Sequence, residues 1–190
     1  MPPVKKFQKE DIIQTAYEIA RKEGLEDINA RRIAKELSCS TQPIYQNFTT
    51  MEELKAQVVE KIYQDFLSYI CRDAEEDRPY LSMGLFYIRF AQEYPNFFKI
   101  LFMNDNGPSL ADAIQLEEKM KIVLEAGRIF SRLTEKQQKD FHFKVWIFTH
   151  GLATLAATGT VHFTDAEIKE LLASTVQEML VGYKQEQEET

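Results

Sequence analysis

An all-α chain of about nine helices is what this sequence predicts, and three observations carry that expectation. Apolar residues recur at helical spacing along most of the 190 positions, as in Ile12, Ala16 and Ile19, or Leu54, Val58 and Ile62. At three expected helix starts a Thr is followed three residues later by Glu or Gln: Thr50/Glu53, Thr134/Gln137 and Thr164/Glu167. That reciprocal pairing satisfies the free N–H groups at a helix start. No stretch alternates apolar and polar residues as a half-buried strand does.

Taken in order, the first helix carries Ile12, Ile13, Ala16, Ile19 and Ala20 and stops at Gly24. Asn29 can cap a second, short helix whose Ile33, Ala34 and Leu37 form one apolar face. Ser38-Cys39-Ser40 breaks the period. Ser40 is expected to cap a third helix, with Pro43 in its first turn, where a missing N–H costs little. On that helix Ile44 and Phe48 point inward, leaving Thr41, Gln42, Tyr45 and Gln46 outside. The fourth helix runs from Thr50 to about Arg72, and 73–79 reads as a loop. Leu81, Leu85, Ile88 and Phe90 belong to a helix ending near Tyr94-Pro95, because the residue before Pro disfavours the α conformation. A dense apolar piece follows from Asn96 and is broken at 104–108. Further helices are expected from Ser109 to about Arg132, Thr134 to about Thr158 and Thr164 to about Tyr183.

The net charge is −7, and its distribution is informative. The first 55 residues hold nine basic and nine acidic residues, so all of the excess negative charge falls on the rest. A neutral head on an acidic body suits local contact with a polyanion and argues against a chain that coats nucleic acid along its whole length. The two cysteines, Cys39 and Cys71, match neither a disulfide framework nor a zinc site. No run approaches the ~18 apolar residues of a membrane span, and the start Met-Pro-Pro-Val-Lys-Lys lacks an apolar signal segment. A cytoplasmic protein with no membrane association, no metal, no cofactor and no catalytic residue is the expectation.

The outward set on the third helix has the chemistry of a DNA-reading element. A major groove admits one helix, and Gln bonds an adenine edge bidentately. Thr41, Gln42, Pro43 and Gln46 are the expected base contacts. Tyr45 and Asn47 can donate to phosphate oxygens, and Arg31 sits by the free N–H groups of the second helix. Lys55 completes the expected phosphate set.

Ile13 to Ala16, Gly24, Ile33-Ala34, Leu37, Ser40, Ile44-Tyr45, Phe48 and Leu54 together resemble the helix-turn-helix domain of the TetR family of transcriptional regulators. The resemblance covers about fifty residues. It implies an N-terminal three-helix DNA-binding domain, expected over 5–65, and a helical effector-binding and dimerisation domain, expected over 66–190. Four positions depart from the family pattern. Ser38 stands where Gly is usual, Cys39 replaces Val, Asn47 stands where His or Tyr is common, and Met51 replaces a Lys. A left-handed backbone at Ser38 costs a serine about 1 kcal/mol.

The same resemblance implies an inducer pocket in the second half, expected from Phe90, Phe98, Phe102, Trp146 and His150 and therefore suited to a small, largely apolar effector. The run Thr149-His150-Gly151 partly matches a Trp-His-Gly motif of the family, with Thr149 in the Trp place. The last two helices imply a homodimer, with Leu152, Leu155, Ala156, Ile168, Leu172, Val176 and Met179 expected at the interface. A two-fold dimer reads a palindromic double-stranded operator. The function this implies is a sequence-specific regulator, a repressor released by its effector. The alternatives are a helical interaction module that has lost DNA binding and an all-helical enzyme using His150. No nucleophile–base spacing, phosphate loop or metal motif favours the enzyme.

Overall fold

The computed structural model describes residues 7–72, 79–103 and 133–188. Among these residues there are eight helices and no strand: α1 (Lys9–Glu23), α2 (Ala30–Glu36), α3 (Gln42–Asn47), α4 (Met51–Ile70), α5 (Pro79–Glu93), α6 (Pro95–Phe102), α7 (Glu135–Ala157) and α8 (Asp165–Glu188). The chain is all-α, as expected. The helix expected from Ser109 to Arg132, residues 73–78 and 104–108, and Lys5 and Lys6 lie outside the described residues. Pro79, expected in a loop, opens α5, where its fixed φ and missing N–H suit the first turn. The last helix continues five residues past the expected Tyr183.

The capping signals act where they were read. Glu53 N–H donates to the Thr50 hydroxyl at 3.1 Å, and Thr49 N–H donates to the Glu53 carboxylate at 2.9 Å. Thr134 and Gln137 close α7 reciprocally, at 3.0 and 3.3 Å. Thr164 and Glu167 do the same before α8, at 2.7 and 3.3 Å. Gly24 ends α1 with φ +110°, a backbone conformation that side chains rarely adopt.

Two compact units divide the chain. The first comprises Met1–Leu67 with Asn96–Gly107, and the second Ser68–Pro95 with Pro108–Thr190. In the first, Ile12, Ala16, Ile33, Ile44, Leu54 and Val58 are fully or almost fully buried. α6 joins this unit. Phe97 packs on Tyr17 with ring centroids 4.8 Å apart, Phe102 packs on Phe66 at 5.2 Å, and the Asn96 amide donates to the Arg21 carbonyl at 3.1 Å.

The second unit is built on α5, α7 and α8. Gly84 of α5 lies against Leu172 of α8, and a Cβ on Gly84 meets the Leu172 Cδ1 at 2.8 Å. A side chain at position 84 would therefore require Leu172 to shift. Two polar clips hold α5 to the α7–α8 connection. The Gln92 amide donates to the Phe163 carbonyl at 3.0 Å, and Arg89 forms a bidentate pair with Asp165, its Nε 2.7 Å from the carboxylate. At the far end of α7, Phe141, Val145 and Tyr183 form a cluster, and the Tyr183 hydroxyl donates to Asp140 at 2.5 Å.

The Arg89 guanidinium holds the Asp165 carboxyl below its ordinary value of 3.8. A depressed folded-state value adds stability that is complete above 3.8 and is lost as pH falls through the lowered value. Asp165→Asn should therefore flatten the acid limb of thermal stability of the second unit. Melting followed by circular dichroism as pH is lowered through the carboxyl range checks this, and parallel acid limbs for both proteins would contradict it.

Candidate functional site

The connection between α2 and α3 sets the geometry of the first candidate site. The Asn29 side chain accepts from Arg32 N–H at 2.9 Å and opens α2. Arg32 bridges Glu23 and Glu36 at 2.6 and 3.2 Å, tying α2 to the end of α1. α2 then closes with two reversed bonds, Cys39 N–H to the Ala34 carbonyl at 2.9 Å and Ser38 N–H to the Lys35 carbonyl at 3.2 Å. This double closure is the Schellman motif, and it needs a left-handed residue at its corner. Ser38 is that residue, with φ +53°. The Cys39 side chain is half-buried behind it.

α3 begins one residue later than the cap expected at Ser40. Thr41 holds the N-cap position in helical conformation, and its side chain makes no capping bond. Pro43 falls in the first turn, where it removes a donor that had no partner. Ile44 is wholly buried and Phe48 is 2% exposed, so both inward positions are as expected. Gln42, Gln46 and Tyr45 are exposed, Tyr45 by 58%, while Thr41, Pro43 and Asn47 are half-buried. One edge of the Asn47 amide is already used, donating to the Pro43 carbonyl at 2.8 Å. Arg31 is exposed in the first turn of α2, whereas Lys55 pairs with Glu26 at 3.6 Å. All eight expected nucleic-acid contacts lie in the first unit. Five of them are residues of α3 itself, and Thr41 flanks it.

The second unit contains a partly open cleft of about 50 Å³ between α5, α7 and α8. Its walls include Met83 and Tyr87 of α5, Trp146 and Thr149 of α7, and Leu172 and Val176 of α8. Beside it runs a chain of polar rings. The Tyr87 hydroxyl lies 3.0 Å from His150 Nδ1, and the Trp146 indole stacks on His150 with ring centroids 5.2 Å apart. Burial pushes the Tyr87 phenol well above its ordinary value and the His150 imidazole below its own. Of the five residues expected around an effector, Trp146 lines this cleft and His150 adjoins it. Phe90 packs instead between Tyr69 and Tyr94, at 5.4 Å from each, and Phe98 and Phe102 belong to the first unit. Tyr87, which sequence reasoning passed over, is the residue that places His150. Only its position four residues after Met83 hinted that it shared the cleft face.

The family described as Tetracyclin repressor-like, C-terminal domain, matches residues 81–179, just over half of the chain. The chain belongs to the TetR family of transcriptional regulators. Solved structures agree in fold across nearly the whole length. A TetR-family transcriptional regulator from Streptomyces coelicolor is 13% identical with a TM-score of 0.72, over 93% of this chain and 83% of that one. A transcriptional regulator from Rhodococcus sp. Rha1 is 16% identical with a TM-score of 0.66, over 93% and 97%. A TetR-family protein from Vibrio parahaemolyticus is 18% identical with a TM-score of 0.60, over 88% and 96%. No curated protein matches the sequence. No helix among the described residues is long and apolar enough to cross a membrane.

In this TetR-family chain the residues expected at a dimer interface have different surroundings. Leu152, Ala156, Ile168 and Leu172 are buried within the second unit. Val176 and Met179 pack against the Phe141–Val145–Tyr183 cluster. Leu155 is exposed by 39%, and two residues not singled out in the sequence join it on α7: Phe143 at 54% and Ile147 at 50%. With exposed Gly151 between them, they recur every four residues and form one uncovered row.

The strained corner makes a direct prediction. Ser38→Gly should stabilise the protein by about 1 kcal/mol, because glycine adopts the left-handed corner without the Cβ penalty. A higher urea midpoint at unchanged slope is the expected result, and an equal or lower midpoint contradicts it.

Proposed function

We propose that this protein is a sequence-specific DNA-binding regulator acting as a homodimer in the cytoplasm, and that it represses transcription until a small, largely apolar effector releases it. The observation that supports DNA reading most strongly is the division of labour on α3. Ile44 and Phe48 anchor the helix, and Gln42, Tyr45 and Gln46 stand out from it uncharged. Neutral donors and acceptors of this kind can discriminate base edges, which a lysine-rich surface does not. Base contacts fall to Thr41, Gln42, Pro43 and Gln46, and Tyr45, Asn47 and Arg31 set the register on phosphates. Lys55 joins them once it leaves Glu26.

The homodimer reading rests on the row Phe143, Ile147, Gly151 and Leu155. A soluble protein gains by covering large apolar side chains that recur along one helix face. Two copies of α7 can cross closely at Gly151, where no side chain stands between them. Such a two-fold pair presents two copies of α3 to one duplex and matches a palindromic operator. Effector binding in the second unit then changes the population of DNA-competent dimers. α4 is the natural carrier, since its single helix runs from Met51 in the first unit to Ile70 in the second. Domain roles follow the same division, reading by the first unit and sensing and pairing by the second.

Fluorescence anisotropy on the DNA upstream of the protein's own gene tests the reading assignments. Gln42→Ala should cost about 1–3 kcal/mol on the preferred sequence and relax base preference. Tyr45→Phe should weaken binding to all sequences by a similar factor. Unchanged discrimination in Gln42→Ala removes that residue from the reading set. Ile147→Glu should give a monomeric mass in sedimentation at micromolar concentration with helix content retained, and a dimer that persists rejects the α7 row.

A further inference from the structure

The carboxylates paired with cations in the first unit differ in what else they do. Glu23 and Glu36 grip Arg32 and tie α2 to the end of α1. Glu53 accepts from Thr49 N–H at the start of α4 and also meets Lys9 at 3.9 Å. Glu26 has no such structural task. It lies in the α1–α2 connection with its side chain 87% exposed. Its contact with Lys55, at 3.6 Å, is the one polar interaction that side chain makes among the described residues. An exposed pair of this kind adds little to stability.

The pair stands where charge matters for another reason. Lys55 lies one turn into α4, which follows α3 directly in the chain, and it belongs to the set assigned to phosphates. Cations are few on this unit. Arg31 and Lys35 are exposed four residues apart on one face of α2, and neither joins an ion pair among the described residues. Lys55 would be a third, and Glu26 cancels it. A carboxylate 3.6 Å from the Lys55 ammonium stays within a Debye length, ~8 Å at physiological salt, of any phosphate that Lys55 touches. It competes with that phosphate for the ammonium and repels the phosphate itself.

We propose that Glu26 is a built-in competitor of the DNA backbone: by holding Lys55 it lowers affinity for every duplex alike and leaves discrimination to the base contacts of α3. Glu26 is a positioning residue that acts through Lys55, and the proposal rests on the regulator reading above. The charge balance gives it a distinct signature. Lys55 and Glu26 sum to zero whether they stay paired or part, so together they displace no net counterion from a duplex. In Glu26→Gln the ammonium is left to neutralise a phosphate, and each phosphate neutralised adds about 0.9 to the slope of log affinity against log salt.

The test measures fluorescence anisotropy of the full chain on two duplexes over a series of salt concentrations. One is the DNA upstream of the protein's own gene, and the other is a random-sequence duplex of equal length. Glu26→Gln should tighten binding to both by about fivefold at about 0.1 M salt and steepen both slopes by about 0.9. The affinity ratio between the duplexes should stay within about twofold of the wild-type ratio. In a Lys55→Gln background the same substitution should leave the slope unchanged and tighten binding by no more than about twofold. Asp27→Asn makes the same charge change one residue away, where no ion pair is broken among the described residues, and should match that small effect. Circular dichroism should give each variant the wild-type helix content and melting temperature.

An unchanged slope in Glu26→Gln overturns the proposal. An equal effect with and without Lys55, or an equal effect from Asp27→Asn, overturns it too, because Glu26 then acts as one charge in a general field. A lowered melting temperature with weakened binding assigns Glu26 a structural role instead. A gain confined to one duplex contradicts action on all sequences alike. Failure of the wild type and of Glu26→Gln to bind either duplex at any salt concentration defeats the regulator reading and this proposal with it. Binding by the wild type with no response to Glu26→Gln defeats the proposal alone.

Discussion

The burial of Ile44 and Phe48 is the constraint on which the rest depends. A helix of six residues has no stability of its own, because nucleation costs more than so few hydrogen bonds return. α3 exists because these two side chains are held in the core of the first unit. Their spacing of four also decides what faces outward. Once positions 44 and 48 point in, positions 42, 45 and 46 must point out, whatever they are. The chain fills them with Gln, Tyr and Gln, side chains that carry hydrogen-bonding information and no charge. Affinity for the phosphate backbone must then come from the few cations nearby. Of the expected two, Arg31 is exposed and Lys55 is engaged with Glu26.

The second unit is organised by a different constraint, the close approach of α5 to α8 at Gly84 and Leu172. Packing this tight requires the polar groups inside to be settled internally. Thr149 turns back on its own helix, and the Tyr87 hydroxyl is hydrogen-bonded to His150. The result is a neutral interior with a small apolar cleft. The Arg89–Asp165 pair and the Gln92–Phe163 bond clip the same helix at its other end. Polar closure and apolar filling thus occupy different turns of α5.

Local chemistry was legible in the sequence, and three-dimensional allegiance was less so. Asn29, Thr50, Thr134 and Thr164 cap helices because a cap depends on residues three apart, all visible in one window. Ser38 carries the left-handed corner that its neighbours imply. Ser40 did not cap α3, because with Pro43 in the first turn there was one fewer free donor to satisfy and Thr41 took up the helical conformation. Phe98 and Phe102 could not be placed from spacing, since burial has no direction and an apolar face does not name the core it joins. The same ambiguity affected α7. It is apolar on several sides, so Leu152 and Ala156 could not be told from Phe143 and Ile147 until α5 was seen to cover one side. The lone signal for the uncovered row was its period of four through Gly151.

The claim that α3 reads DNA as part of a two-fold pair is tested most directly by sequencing fragments that the purified protein selects from a random duplex pool. The account predicts enrichment of an inverted repeat whose half-sites are separated by a fixed, groove-matched spacing. A pool that stays unenriched after repeated selection, or one enriched for a single motif with no symmetric partner, would contradict it.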